Sequence, residues 1–102
     1  MERSLIEERL PNVWKPYLSM VGEIMKDGAL STKVKELIAT ALSIAVHCEP
    51  CIKIHIKRAV ENGATRDEIA ETLGVVLLMC GGPGDVWTRR VIEETMSKCF
   101  EK

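Results

Sequence analysis

Residues 36–55 read ELIATALSIAVHCEPCIKIH, and this stretch decides the fold. Its first part, Glu36–Val46, is apolar nearly all round, which predicts a helix that must be buried. The next part, Cys48–Cys51, contains Pro50, whose missing N–H and fixed φ break the first helix and suit the first turn of a new one. The stretch therefore predicts two helices joined by a turn at the cysteines.

Helical spacing continues on both sides of this stretch. Apolar residues recur every three or four positions, and no segment alternates with period two for long enough to form a convincing strand. Glycine, proline and capping residues divide the pattern into about six helices. These are Glu2–Leu10, which ends before Pro11; a helix from Trp14 to Met25, with Pro16 near its first turn; a helix that Ser31 or Thr32 caps, ending at Val46; a helix from the cysteine turn to Asn62-Gly63; a helix that Thr65 and Glu68 cap, ending before Gly81-Gly82-Pro83-Gly84; and a last helix that Asp85 caps. We therefore expect an all-α domain.

Composition places the chain among small folded domains. It has 102 residues, of which 46% are apolar, so we expect one domain over residues 1–102. A net charge of −1, without a dense cluster of lysine and arginine, argues against a nucleic-acid partner. The longest apolar stretches fall short of the ~20 residues that cross a bilayer, and the polar start shows no secretory signal. We therefore expect a cytoplasmic protein without a membrane partner.

The apolar helix that contains Glu36 also predicts self-association. A domain of this size has a limited interior, so it cannot hide every face of such a helix. We expect a homo-oligomer whose subunit contacts involve the helix that begins near Thr32 or the helix that ends at Cys80.

Four cysteines, at positions 48, 51, 80 and 99, stand in a chain that we expect in a reducing compartment. There, cysteines are more often catalytic, metal-binding or buried than part of a disulfide framework. Cys80 and Cys99 fall on apolar stripes, and we interpret them as buried and inert. Cys48 and Cys51 form a Cys-x-x-Cys motif, which equips the chain for thiol redox chemistry.

The Cys-x-x-Cys motif lies at the start of a predicted helix. Cys48 is near its N-cap and Cys51 is in its first turn, where unpaired N–H groups and the helix dipole favour a thiolate over a thiol. The two sulfurs are also within disulfide range. His55 lies four residues after Cys51 on the same helix face, so its imidazole can accept the thiol proton or stabilise the thiolate.

Glu36 is the less obvious member of this set. It precedes Cys48 by twelve residues, which places it ~18 Å away along its own helix. If the next helix folds back antiparallel, His55 returns ~10 Å toward Glu36, and long side chains or a water could close the remaining distance. In that arrangement the carboxylate would orient the imidazole and raise its basicity. The spacing leaves this contact open.

Four features together resemble the AhpD-like, carboxymuconolactone decarboxylase family. They are the run Lys35-Glu36-Leu37-Ile38-Ala39 with twelve residues from Glu36 to Cys48, the Cys-x-x-Cys motif followed by His55, the segment Asn62–Glu71, and the Gly81-Gly82-Pro83 turn. The resemblance spans roughly residues 30–83. A glutamate, a Cys-x-x-Cys motif and a histidine at these spacings are a specific combination, whereas an isolated Cys-x-x-Cys is weak evidence.

This resemblance implies an all-helical fold that assembles into trimers or hexamers, and a redox branch that reduces hydroperoxides. By the resemblance, Cys51 is the peroxidatic cysteine and Cys48 resolves it as a disulfide. Glu36 and His55 would form the proton relay. No bound cofactor is implied, because an external dithiol, from a thioredoxin-like or lipoyl-bearing protein, reduces the disulfide. One position departs from AhpD, which has a relay histidine where this chain has Pro50.

Two other functions remain open. The family also contains a non-redox branch, a lyase that acts on a small carboxylated lactone, but the presence of both thiols favours the redox branch. The four ligands of a zinc site would be Cys48, Cys51, His55 and Cys80. We expect no metal, because paired ligand clusters at metal spacing are absent. His47, just before the first cysteine, is either a structural or a site-lining residue.

Overall fold

The computed structural model describes residues 3–100, which form five α-helices and no strand. The helices are α1 (Leu5–Arg9), α2 (Pro11–Ile24), α3 (Thr32–Ala45), α4 (Glu49–Glu61) and α5 (Arg66–Phe100). The prediction of an all-α fold is confirmed. A kink at Gly81 divides α5 into two segments, so the described chain has the six helical segments expected from the sequence.

Side-chain caps fix where the central helices begin. The Ser31 hydroxyl accepts a hydrogen bond of 3.1 Å from the Val34 N–H and caps α3. At the start of α5, the Thr65 N–H donates to the Glu68 carboxylate at 2.9 Å, and the Glu68 N–H donates to the Thr65 hydroxyl at 3.1 Å. This reciprocal pair is the capping box that the sequence indicates.

The interruption of α5 is shorter than predicted. Only Gly81 leaves the helical conformation, with φ 74° and ψ −175°, and the helix resumes at the next residue. Because Pro83 lies in the first turn after the kink, its missing N–H removes no hydrogen bond of the resumed helix. The expectation that Asp85 caps a separate helix is therefore wrong. Its carboxylate instead accepts a 2.7 Å hydrogen bond from Arg89, one turn further along.

Helices α1 and α2 form an N-terminal arm that does not pack against the other helices, although Lys35 of α3 donates a hydrogen bond of 2.7 Å to the Ile24 carbonyl at the end of α2. They contact each other, but no residue of either comes within 8 Å, between Cα atoms, of α3, α4 or α5. Neither helix contains a buried residue. The predicted start of α2 near Trp14 is also wrong, because the helix begins at Pro11 and Pro16 lies inside it. The apolar spacing of α2 is as predicted, but its apolar face has no partner within the described chain.

The core lies between α3, α4 and α5. Its buried apolar side chains are Ile44, Ile52, Ile56, Ala59, Ala64, Ile69, Val76 and Val91. Buried hydroxyls donate hydrogen bonds to backbone carbonyls of their own helices. Thr40 donates to the Glu36 carbonyl at 2.9 Å, and Thr95 donates to the Val91 carbonyl at 2.7 Å. Small polar side chains therefore fit at the helix contacts without leaving an unpaired group.

Helix α3 is not buried on all faces, which corrects the sequence expectation. Its buried residues are Glu36, Thr40, Ser43 and Ile44. On the opposite side, Ile38, Leu42 and Val46 are 44%, 59% and 70% exposed. The reason is geometric, because only one face of α3 meets α4 and α5. An apolar face of this helix therefore stays open in the single chain.

Helix α5 is long and apolar enough to cross a membrane by length and composition, and it is the one such helix among the described residues. The kink at Gly81 leaves an apolar part that is shorter than the ~20 residues of a bilayer span. The part after the kink carries Asp85, Arg89, Arg90, Glu93, Glu94 and Lys98. Ile69, Val76 and Val91 of this helix contribute to the core.

The kink gives a direct test of the fold. The φ and ψ of Gly81 lie in a region that essentially only glycine occupies, so Gly81→Ala should lower the free energy of unfolding by about 1–3 kcal/mol. Gly82→Ala is the matched control, because Gly82 is helical and a Cβ added there meets nothing within 4 Å. We expect the control to be unchanged or slightly more stable in urea unfolding. Equal effects at the two glycines would contradict the assigned kink.

Candidate active site

A tight turn joins α3 to α4 and positions both cysteines. The His47 N–H donates to the Ile44 carbonyl at 3.1 Å, and the Cys48 N–H donates to the Ser43 carbonyl at 2.9 Å. These two bonds define a Schellman motif, in which the residue at the position of His47 adopts the left-handed conformation and is usually glycine. His47 has φ 58°. The chain thus reverses at His47, and Cys48 becomes the N-cap of the next helix.

Cys48 is the N-cap of α4, as the sequence predicts. Its Sγ accepts a hydrogen bond of 3.3 Å from the Cys51 N–H. Pro50 lies in the first turn of the helix, where its missing N–H leaves no gap. The two sulfurs are at disulfide distance, and the two Cα atoms are 5.2 Å apart. Both cysteines are half-buried, so a thiol pair at this helix end is accessible from solvent.

The antiparallel return of α4 brings His55 to Glu36. The imidazole Nδ1 lies 2.7 Å from Glu36 Oε1, so the contact that the sequence leaves open is formed. Glu36 is only 3% exposed, whereas His55 is half-buried. With its proton on Nδ1, the imidazole donates to the buried carboxylate and presents Nε2 as an acceptor. The carboxylate therefore fixes both the ring orientation and the tautomer.

The four predicted site residues consequently lie on two adjoining helices. Cys51 and His55 are one turn apart on α4, a spacing that puts their Cβ atoms roughly 5–6 Å apart. Glu36 lies behind His55 on α3, and Cys48 begins α4 beside Cys51. This arrangement can give up two electrons by converting a dithiol to a disulfide, and it can move a proton between a thiol and an imidazole.

Trp87 is a neighbour of the site that the sequence analysis did not find. Its ring stacks on His47 with the centroids 4.7 Å apart and the planes 9° from parallel. The indole N–H is buried and has no hydrogen-bond partner among the described residues, so stacking and packing hold the ring. No spacing rule links a residue of α5 to one in the α3–α4 turn, and only the folded structure reveals the pair. His47 thus has a structural role in the turn.

The remaining cysteines differ from the expectation in part. Cys80 is exposed rather than buried, which corrects the expectation for this residue. Cys99 is half-buried, and desolvation raises the pKa of its thiol, which favours the protonated, unreactive form. Over residues 3–100, no group of three or more His, Cys, Asp or Glu side chains could hold a metal ion.

Comparison with known proteins defines the class to which this fold and site belong. A family model described as "Carboxymuconolactone decarboxylase family" matches residues 11–94, which include α2, the site and most of α5. The chain belongs to the carboxymuconolactone decarboxylase family.

Individual relatives agree with this assignment. An uncharacterised protein of Cupriavidus necator is 33% identical over 82 residues, which are 80% of this chain and 73% of the relative. The crystal structure of a carboxymuconolactone decarboxylase family protein from Legionella pneumophila is similar with a TM-score of 0.81 and 37% identity, covering 90% of this chain and 82% of that one. A Thermotoga maritima protein of the same family, described with a possible part in an antioxidative response, has a TM-score of 0.73 and 29% identity, covering 81% and 71%.

The Glu36–His55 contact can be tested through protein stability. His55→Leu leaves the buried carboxylate without a hydrogen-bond donor, so we expect a loss of about 1–3 kcal/mol in the free energy of unfolding. In a double-mutant cycle with Glu36→Gln, the coupling energy should be about 0.5–3 kcal/mol. The exposed pair of Asp85 and Arg89, substituted as Asp85→Asn and Arg89→Gln, is the control and should couple by less than about 0.5 kcal/mol. A coupling at the site no larger than this control would argue against the contact.

Proposed function

We propose that this protein is an AhpD-like, thiol-dependent hydroperoxide reductase that works by a two-cysteine cycle. The observation that carries the proposal is the pair Cys48 and Cys51 at disulfide distance on the first turn of α4, with His55 one turn further on. Family membership supports it, and so does the antioxidative description of the Thermotoga maritima relative. Thiolates at a helix N-terminus are favoured by the unpaired N–H groups there, which makes such a sulfur nucleophilic.

The first half of the cycle reduces the peroxide. The Cys51 thiolate attacks one oxygen of the O–O bond, which breaks, and a sulfenic acid forms on Cys51 while an alkoxide leaves. His55, which takes the thiol proton when the thiolate forms, returns that proton to the alkoxide and releases an alcohol. Glu36 holds the imidazole in place through its 2.7 Å contact and stabilises the ring while it is charged. Sulfur gives up two electrons and the peroxide gains them.

The second half restores the dithiol. The Cys48 thiol attacks the sulfenic sulfur of Cys51, the S–O bond breaks, and the oxygen leaves as water with the thiol proton. The short Cα separation of 5.2 Å lets the disulfide form without a large backbone movement. An external dithiol then reduces the disulfide by thiol–disulfide exchange and becomes oxidised itself. Its carrier, in this proposal, is a thioredoxin-like or lipoyl-bearing protein, and no bound cofactor takes part.

Pro50 lowers the number of groups in the proposed proton relay. The residue before the second cysteine in AhpD is a relay histidine, and proline offers no group that carries a proton. The stacked ring of His47 lies before the first cysteine and serves the turn. The proposed relay therefore consists of Glu36 and His55 alone, and we expect slower peroxide turnover than a three-residue relay would give.

Mixing the reduced protein with an organic hydroperoxide tests the proposal. The unchanged chain should consume one equivalent of peroxide and lose two free thiols. Cys51→Ser should consume none, whereas Cys48→Ser should consume one equivalent and accumulate a sulfenic acid that a dimedone probe captures. Cys80→Ser is the control and should behave as the unchanged chain, because Cys80 is exposed and outside the site. Peroxide loss that persists at the same rate in Cys51→Ser would contradict the assigned nucleophile.

The same variants separate the alternatives. A disulfide reductase that lacks the peroxide step would leave the hydroperoxide intact but would reduce a protein or small-molecule disulfide through both cysteines. A lyase acting on a small carboxylated lactone, the activity that the family's name describes, would survive in Cys51→Ser. If the protein acts on such a lactone and loses no free thiols when mixed with the hydroperoxide, the lyase activity replaces the proposed reductase activity.

The proposal also covers the oligomeric state and the cellular location of the protein. The family resemblance implies a trimer or hexamer, and the open apolar faces of α2 and α3 support self-association. A cytoplasmic location fits a thiol cycle that depends on cellular dithiols to return to its reduced form.

A further inference from the structure

Helices α3 and α4 end with the same backbone pattern but with different residues at its centre. At the end of α4, Gly63 and Ala64 donate the two hydrogen bonds of a Schellman motif, each 2.9 Å long. At the end of α3, His47 and Cys48 donate the equivalent two bonds. The central residues have φ 95° at Gly63 and φ 58° at His47, a left-handed conformation that favours glycine. The turn before the cysteines therefore carries a side chain where the backbone alone favours none.

His47 is the one non-glycine residue with a positive φ between residues 3 and 100. In this conformation the Cβ atom approaches the following carbonyl oxygen, so the residue is strained unless its surroundings hold it in place. The imidazole makes a holding contact with the ring of Trp87, whose centroid lies 4.7 Å away and whose plane is 9° from parallel. His47 is otherwise exposed, so this stack is what an imidazole contributes that glycine would not.

Trp87 lies in a firmly packed part of α5. It packs against the buried core, and the next residue, Thr88, is 2% exposed and donates a hydrogen bond of 2.8 Å to the Gly84 carbonyl. The indole N–H is buried and has no hydrogen-bond partner among residues 3–100, so no directional bond sets the orientation of the ring. Trp87 therefore acts on the turn through the flat face of its ring.

We propose that Trp87 is a positioning residue for the cysteine pair. By stacking on His47 it holds the left-handed turn that directly precedes Cys48, and it thereby keeps the Cys48 sulfur beside Cys51 at the start of α4. In this arrangement Cys48 Sγ accepts the 3.3 Å hydrogen bond from the Cys51 N–H, and the two Cα atoms are 5.2 Å apart. The inference rests on the proposed two-cysteine cycle, in which the two sulfurs must be held close together to react with each other.

Two side-chain pairs then hold the site from two different helices. Glu36 of α3 contacts His55 at 2.7 Å, and Trp87 of α5 contacts the turn itself. The first pair acts on the proton of a thiol, whereas the second acts on the placement of one sulfur relative to the other. Loss of the stack should therefore slow the closure of the disulfide without removing the thiol that reacts first.

Closure of the disulfide can be measured without a peroxide. In a background that carries Cys80→Ser and Cys99→Ala, the aromatic disulfide DTNB is added at less than one equivalent. One site thiolate attacks the S–S bond of DTNB, which breaks, so that a mixed disulfide forms and a first thionitrobenzoate leaves. The other site thiolate then attacks the protein sulfur of the mixed disulfide, forms the bond between Cys48 and Cys51, and releases a second thionitrobenzoate. The rate of the second release measures how well the two sulfurs are positioned.

We expect Trp87→Leu to slow the second release about two- to tenfold, the range that one aromatic stack contributes, and to leave the first release nearly unchanged. Trp87→Phe keeps a ring face and should close at the rate of the unchanged background. His47→Gly suits the left-handed turn but removes the imidazole, so it should slow closure as Trp87→Leu does. The two changes combined should be no slower than either alone. Trp14→Leu, in α2 and outside the site, is the matched control and should leave closure unchanged.

Circular dichroism and urea unfolding of each variant separate a displaced turn from a lost fold. If Trp87→Leu does not fold, His47→Gly gives the same test, because glycine adopts the required φ without strain. The proposal is overturned if folded Trp87→Leu or His47→Gly closes as fast as the unchanged background, or if Trp87→Phe is as slow as Trp87→Leu. Failure of the peroxidase proposal gives a different result: no variant consumes hydroperoxide, and the differences in closure rate remain.

Discussion

The contact between the buried carboxylate of Glu36 and the imidazole of His55 is the interaction on which the site depends. It joins α3 to α4 at 2.7 Å and can form only because the chain reverses at His47. That reversal makes Cys48 the N-cap of α4 and sets Cys51 one turn before the imidazole. Burying a charged or hydrogen-bonding pair inside the bundle has a cost in desolvation free energy. The presence of this pair therefore fits a functional use rather than a gain in stability.

The distribution of polar and apolar residues explains the shape of the chain. Glu36 and Thr40 lie on the buried face of α3, whereas Ile38 and Leu42 lie on its exposed face. The same chain carries an arm whose helices contain no buried residue and do not pack against α3, α4 or α5. A polar site in the interior of a small bundle leaves less of that interior for apolar side chains, and several large ones lie at the surface of this chain.

Sequence patterns predicted the helices and proposed a set of candidate site residues, but they did not predict which helix faces have neighbours. The Thr65–Glu68 capping box and the cysteine turn follow from local spacing, which local hydrogen bonds and helix geometry enforce. The contact between His55 and Glu36 also depends on the antiparallel return of α4, which the spacing left open. The exposure of Cys80 and the stacking of Trp87 on the turn depend on how helices pack, which periodicity does not encode. The single-residue kink at Gly81 was predicted as a longer break, because several consecutive glycines and a proline do not show which of them leaves the helix.

The most direct test of the central claim is the reactivity of each cysteine in the reduced protein. Its rate of reaction with iodoacetamide is measured between pH 5 and 9 by peptide mass spectrometry. That claim is that the start of α4 and His55 together hold one sulfur of the Cys-x-x-Cys pair as a thiolate near neutral pH. We expect Cys51 or Cys48 to keep more of its reactivity at pH 6 than the exposed Cys80, which lies outside the site, keeps. If both site cysteines follow the same pH profile as Cys80, the claim is contradicted.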